Sequence, residues 1–458
     1  MSTETRARLV RVRLPLADTD PWTLLPPLQS DGARLMAWSS PDGVERFVAV
    51  GACAEFRPTG PNRFDEARRW WQRFAGDQTR TTNRDGSPAQ SSAPVCLAGF
   101  AFQTDHARSD AWGAWGDGAL CIPDLVLWRG PTGTEATIIA DTTQGPVEDT
   151  VAEIERRLRD WLARAENAPV TPATAATLVN ASEAQQEWVR GVAAAQEQMA
   201  KGALKKVVLA RSAAFEPGGT EQFDPLGTAT ALRDRQTRST TFLIRRRDGQ
   251  AFLGSSPEIL VRIRSGEVST VALAGTRKRG HGEEDDVLAN DLISSVKDLT
   301  EHRLVTAAIK EALEPHVTAL QIPDSPLVVC HPDVQHLRTD ITGQLSPDAT
   351  IFELVSRLHP TPAVGGLPRE QAMDWLDHNE PLDRGWYAGP IGWVSADGDG
   401  EFVVAIRSVL MAPRSAAAFA GCGLIADSVP EDEWEESQVK LQTVKQGLSV
   451  SSHPSVER

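Results

Sequence analysis

The chain has 458 residues, 41% hydrophobic and 24% charged, an ordinary globular balance with enough apolar material for a large core. Its formal net charge of −15, with no basic run of the kind that tracks phosphates, argues against a nucleic-acid-binding surface, and no segment approaches the ~20 apolar residues of a membrane span. Five cysteines, Cys53, Cys96, Cys121, Cys330 and Cys422, scattered and without CxxC spacing, indicate neither zinc nor a disulfide framework. The start MSTETRARLVRVRLPLADTD has no continuous apolar signal region, so a cytoplasmic enzyme fits best. A small anionic substrate would have to be met by local Arg, Lys or metal.

In the first 175 residues, short apolar runs such as RFVAVGACAEF, VCLAGFAF and LCIPDLVLWRG alternate with turn residues and predict strands, with one helix near FDEARRWWQRFAG. The tryptophans of RRWWQRF and DAWGAWGDG read as core packing, not a stacking platform. VAEIERRLRDWLARAE predicts an amphipathic helix, and NAPVTPATAATLVNAS a polar connector. Residues 1–175 thus form a β-rich part and 183–450 a catalytic region, expected to be intertwined in one structural domain.

From residue 183 chemistry becomes legible. A helix ending around Gly202 leads into a strand from Lys206 to Ala210. Lys206 either snorkels outward or, if desolvated, becomes a neutral general base. Strands follow in TTFLIRRRDGQAFLGSSPEILVRIRSG, with Glu258 held behind Pro257 at a tight turn. VSTVALAGTRKRG predicts a strand running into Gly275 and Thr276, where small residues and free N–H groups can approach an anion. An acidic helix is expected in VLANDLISSVKDLTEHRLVTAAIKEAL, placing Asp298, Glu301 and His302 on one face with Val305.

EDEWEESQVKLQ predicts a second acidic helix with Glu433, Glu436 and Lys440 along one face and Val439 and Val444 elsewhere. It reads either as a solvated helix start with an i, i+4 pair, or as half of a hard-cation site in which Glu436 and Glu301 bind Mg²⁺.

The blocks KVVLAR, GSSPEIL, ALAGTRKRG, SVKDLTEHRLV, VQHLRTDITGQL, LHPTPAVGG, RGWYAGPIGW, VAIRSVL and AGCGLIADSVPEDEWEESQVKL stand in the order found in the chorismate-utilising enzymes, and the chain resembles that family over roughly residues 200 to 445. The resemblance implies an α+β fold of two large, mostly antiparallel sheets packed together with helices outside. It also implies which branch. Lys206 stands where the ammonia users carry an amide, Ala274 where aminodeoxychorismate synthases carry a nucleophilic lysine, and LHPTPAVGG is similar to the isochorismate synthases. A salicylate synthase, which goes on to eliminate pyruvate, would use the same set. A non-catalytic binding protein would keep the anion clamp without needing Lys206 and Glu258 together.

By that resemblance Lys206 activates water and Glu258 protonates the departing hydroxyl of chorismate. Mg²⁺ is held by Glu301 and Glu436, with Asp298 and Glu433 as water-mediated outer ligands. Tyr387, Arg407, Lys440 and the backbone of Gly421 and Gly423 clamp a substrate carboxylate, while Gly275, Thr276, His336 and Ala363 line the pocket. Cys422 departs from the smaller residue usual there. A monomer is expected, with no glutamine amidotransferase subunit.

Overall fold

The computed structural model describes residues 9–29, 31–74, 79–89, 93–104, 109–131, 133–165, 176–179, 181–330 and 334–448. In the strands Leu35–Ser39 and Arg46–Val50 nearly every residue is buried, yet the two sides of the pleat enter different cores. Met36, Trp38, Phe47 and Ala49 point into one, Leu35, Ala37, Val48 and Val50 into the other. Such apolar runs do not alternate with polar residues because the sheet is covered on both faces.

These strands belong to a sheet of thirteen described strands, in which one pair, Leu9–Pro15 with Thr79–Asn83, is parallel. A second sheet has ten described strands, all antiparallel. The facing sides share the first core: Phe47 and Trp128 of the larger sheet meet Trp393 of the smaller at 6.2 and 5.6 Å. Helices Val147–Ala165, Pro225–Arg235 and Pro430–Gly447 cover the outer face of the larger sheet. The fold is therefore the expected α+β arrangement of two packed sheets. Both halves of the chain feed both sheets, through Thr240–Arg245 beside Leu35–Ser39 and Pro390–Ser395 beside Pro94–Phe100. Trp70, Trp71, Trp112 and Trp115 are buried. No described helix is long and apolar enough to cross a membrane.

Several boundaries differ from the sequence reading. The strand begun by Lys206 continues to Pro217, because the small Ala and Ser residues after Ala210 pair with an alanine-rich partner, Ser415–Leu424. The polar connector contributes an edge strand, Ala176–Val179; residues 167–175 and 180 of it lie outside the described residues. The single acidic helix is two, Glu283–Ser294 and Val296–Leu313, divided at Ser295, whose side chain caps the second by accepting the Asp298 N–H. Val444, taken to lie off the working face of the C-terminal helix, is fully buried with Leu441.

On its second edge the Lys206 strand meets Gly366–Leu367 at its start and Ala176–Val179 at its end. Side chains close the gap. Glu380 accepts the Ala210 N–H at 2.7 Å, and Arg384 donates to the Val208 and Val364 carbonyls at 2.6 and 2.8 Å while pairing with Glu380. Both side chains are under 5% exposed, at 3% and 4%. Arg384→Ala strands a buried carboxylate and two carbonyls, so it is expected to cost about 3–5 kcal/mol, measured as a lowered urea midpoint.

Candidate active site

Lys206 opens its strand, and its side chain crosses over Gly423 of the neighbouring strand. A Cβ at Gly423 would come 2.9 Å from Lys206 Cε, so a larger residue there would push the lysine side chain aside. The side chain is 13% exposed, and its Nζ reaches Glu301 Oε1 at 2.7 Å. The sequence reading weighed a snorkelling lysine against a desolvated one, and the structure turns the side chain inward, onto Glu301. With its nitrogen held on Glu301, Lys206 meets a water only once Glu301 turns to another partner.

Glu258 lies where the chain leaves the larger sheet, at Ala251–Ser256, for the smaller, at Ile259–Arg264. The return crossing, between Gly400–Val404 and Ser408–Ala412, carries Arg407. The two corners are bonded together: Val404 N–H donates to the Glu258 carbonyl at 3.0 Å and Ser255 N–H to the Arg407 carbonyl at 3.2 Å. Arg407 holds a φ of 52°, a left-handed conformation that a bulky L residue adopts at a cost. Burial desolvates the Glu258 carboxyl, which raises it above its ordinary value. The Thr361 hydroxyl, donating to Oε1 at 3.2 Å, and the charges of Lys206, Arg407 and Lys440 offset this only in part.

The C-terminal helix brings the next groups. Lys440 pairs with Glu436 at 2.6 Å and donates to the Gly421 carbonyl at 2.9 Å. Burial opposes ionisation of Glu436, but Lys440, helped by Arg407 and His336, outweighs it and holds the carboxyl below its ordinary value. Glu433 accepts from Ser428 Oγ at 2.7 Å, yet burial and the neighbouring Glu436 charge raise it. The N–H and C=O of one residue share a side in an antiparallel strand. The Gly421 carbonyl faces Lys440, away from the Lys206 strand, so the Gly421 and Gly423 N–H groups face the same way.

The other expected residues show different degrees of engagement. Gly275, at φ +76°, sits where the register of Glu267–Lys278 against Val334–Leu345 shifts, and its carbonyl is 3.3 Å from His336 Nδ1. The Thr276 side chain lies outside the described residues. Asp298 packs on Gly275 and is forked by Arg277, with Nη2 to Oδ2 at 2.8 Å. Tyr387 stacks on Phe419 with ring centroids 5.1 Å apart, and its phenol, raised by burial, faces Gly421. Ala363 lies in the turn Thr361–Gly365, whose Gly365 carbonyl accepts the Val208 N–H. His302 bonds Thr339 at 2.7 Å and is kept neutral by burial. Sequence reasoning missed Thr361, Arg277 and Ser428, although all three stand inside quoted motifs and Thr361 is flanked by prolines.

Cys422 Sγ and carboxylate oxygens of Glu433 and Glu436 lie within 4.8 Å of one another. Two carboxylates so close repel, and the hard oxygen donors suit Mg²⁺. The Cys422 thiol donates to the Glu433 carbonyl at 3.3 Å and is pushed by burial to about 12, so it stays a protonated thiol and adds no hard ligand.

A family model described as chorismate binding enzyme matches residues 1–449. The chain is 36% identical over 438 residues to the salicylate biosynthesis isochorismate synthase of Pseudomonas aeruginosa, covering 93% of this chain and 88% of that protein. It is 35% identical over 415 residues to isochorismate synthase MenF of Bacillus subtilis, covering 90% and 87%. The structure of the menaquinone-specific isochorismate synthase MenF from Escherichia coli superposes with a TM-score of 0.76 at 25% identity, over 97% of this chain and 95% of that one. Anthranilate synthase component I from Streptococcus pneumoniae, with a TM-score of 0.65 at 19% identity over 97% and 93%, shares the fold. Together with the ordered motifs and the two-sheet architecture, these matches establish that the chain belongs to the chorismate-binding enzyme family.

Proposed function

We propose that the chain is an isochorismate synthase, an isomerase that adds water at C2 of chorismate and expels the C4 hydroxyl. The observation that carries this reading is that an amine, Lys206, stands within electrostatic reach of a carboxyl that burial biases toward its protonated form, Glu258. Lys206 takes a proton from the attacking water as the C2–O bond forms, and the ring double bonds shift. Glu258 gives its proton to the C4 oxygen, which leaves as water. Proton exchange with solvent then resets both groups. Arg407, Lys440, Tyr387 and the Gly421 and Gly423 N–H groups offer donors to the enolpyruvyl carboxylate.

Glu301 and Glu436 would hold Mg²⁺, with Asp298 and Glu433 behind them. When bound, the ion supplies positive charge that neutralises and orients the ring carboxylate. The names of the relatives support the same activity. On this reading the protein is a cytoplasmic monomer that needs no glutamine-hydrolysing partner.

The test is product analysis. Purified protein with chorismate and Mg²⁺ is expected to give isochorismate, reversibly and without ammonia, on chromatography. Salicylate and pyruvate as main early products would make it a salicylate synthase. No turnover at all would overturn both.

A further inference from the structure

We propose that Thr361 is a positioning residue that decides which oxygen of Glu258 carries the acid proton. This rests on the reading of Glu258 as the general acid. Thr361 Oγ1 donates to Glu258 Oε1 at 3.2 Å. An oxygen that accepts a hydrogen bond in a neutral carboxyl is the carbonyl oxygen, which leaves the proton on Oε2. The acid therefore presents one O–H in one direction.

Both partners are held rigidly enough for this. Glu258 is anchored on its two backbone sides, its N–H donating to Ser256 Oγ at 3.2 Å and its carbonyl accepting from Val404. Thr361 stands between Pro360 and Pro362, which restrict the backbone around it, and its carbonyl accepts the N–H groups of Val364 and Gly365 at 3.1 and 2.9 Å. Its β-branch limits χ1, and the side chain is buried at 8% exposure. The other charged groups facing Glu258 are Lys206 from the strand start, Arg407 from the neighbouring corner and Lys440 from the C-terminal helix. All enter as cations, and none of them offers an acceptor that would draw the carboxyl proton back toward Oε1.

The hydroxyl also favours the ionised carboxylate, against desolvation. Its loss therefore raises the carboxyl further, and because activity needs the protonated acid, the alkaline limb of the rate profile moves to higher pH. Thr361→Val, which keeps the branched shape, is expected to lower kcat about tenfold to hundredfold, leave KM for chorismate near its original value and shift that limb upward. Thr361→Ser is expected to recover most of the rate and the original limb. A Thr361→Val enzyme with unchanged kcat and pH profile overturns the proposal, as does one whose kcat falls with no movement of the limb. If Thr361→Val does not fold by circular dichroism, the comparison passes to Thr361→Ala, for which the same pH readout decides. Glu258→Gln separates the two levels: if it remains active, the general-acid reading fails, whereas an inactive Glu258→Gln beside a silent Thr361→Val removes the positioning role alone.

Discussion

Lys206→Ala is expected to lose chorismate turnover by at least about 10²–10⁴-fold, the usual worth of a positioned general base, while chorismate still binds. The separation follows from where the clamp sits. Arg407 stands on a corner between the sheets and Lys440 on the C-terminal helix, so truncating the first residue of the Lys206 strand leaves both in place. Ammonium loss also leaves Glu301 without its partner at 2.7 Å, which adds a local cost that Lys206→Gln, retaining a donor, reduces without restoring activity. Lys205, the adjacent exposed lysine, is the control, and Lys205→Ala is expected to be nearly silent. Steady-state kinetics and equilibrium binding of chorismate check both halves. A near-normal rate in Lys206→Ala would place the base elsewhere.

The second large effect concerns the acidic C-terminal helix. Its Glu436–Lys440 contact is the i, i+4 pair expected of a solvated helix face, and such a pair on a surface is worth only about 0.3–0.5 kcal/mol. Here the Glu436 side chain is 43% exposed, but Lys440 is more buried and also donates to the Gly421 carbonyl, and Glu433 crowds the same space. If Glu436 and Glu301 hold the cation, Glu436→Gln and Glu301→Gln each remove a full anionic ligand and raise the Mg²⁺ requirement by orders of magnitude. Glu433→Gln is expected to have an intermediate effect, since its carboxyl is already biased toward protonation by burial and by Glu436. Glu431→Gln, an exposed change in the first turn of the same helix, should change little. Magnesium titrations of activity in which the Glu436 and Glu431 variants behave alike would return this segment to the surface reading.

Much of the architecture is a local matter and was legible in the sequence. Apolar runs bounded by turn residues announced the strands, Pro257 behind a pair of serines announced the corner that holds Glu258, and the three- and four-residue spacing of the C-terminal helix put Glu433, Glu436 and Lys440 on one face. These features depend on groups a few residues apart, where propensity, pleat and helical period act directly. The order of nine short motifs likewise carried the family, because each motif is a local solution to a corner, a bulge, a close strand approach or a helix face.

What the tertiary structure alone decided are the pairings between distant segments. Lys206 and Glu301 are 95 residues apart and Thr361 and Glu258 are 103 apart; which hydroxyl or carboxylate ends beside which partner depends on the crossing of two sheets, not on either neighbourhood. The same holds for Asp298, whose place on its helix was readable but whose engagement by Arg277 comes from a strand packed against it. The charge state of a buried group is set by partners that the fold assembles from separate elements. The identity of the reacting groups therefore lies in the sequence, and the state in which they wait lies in the packing.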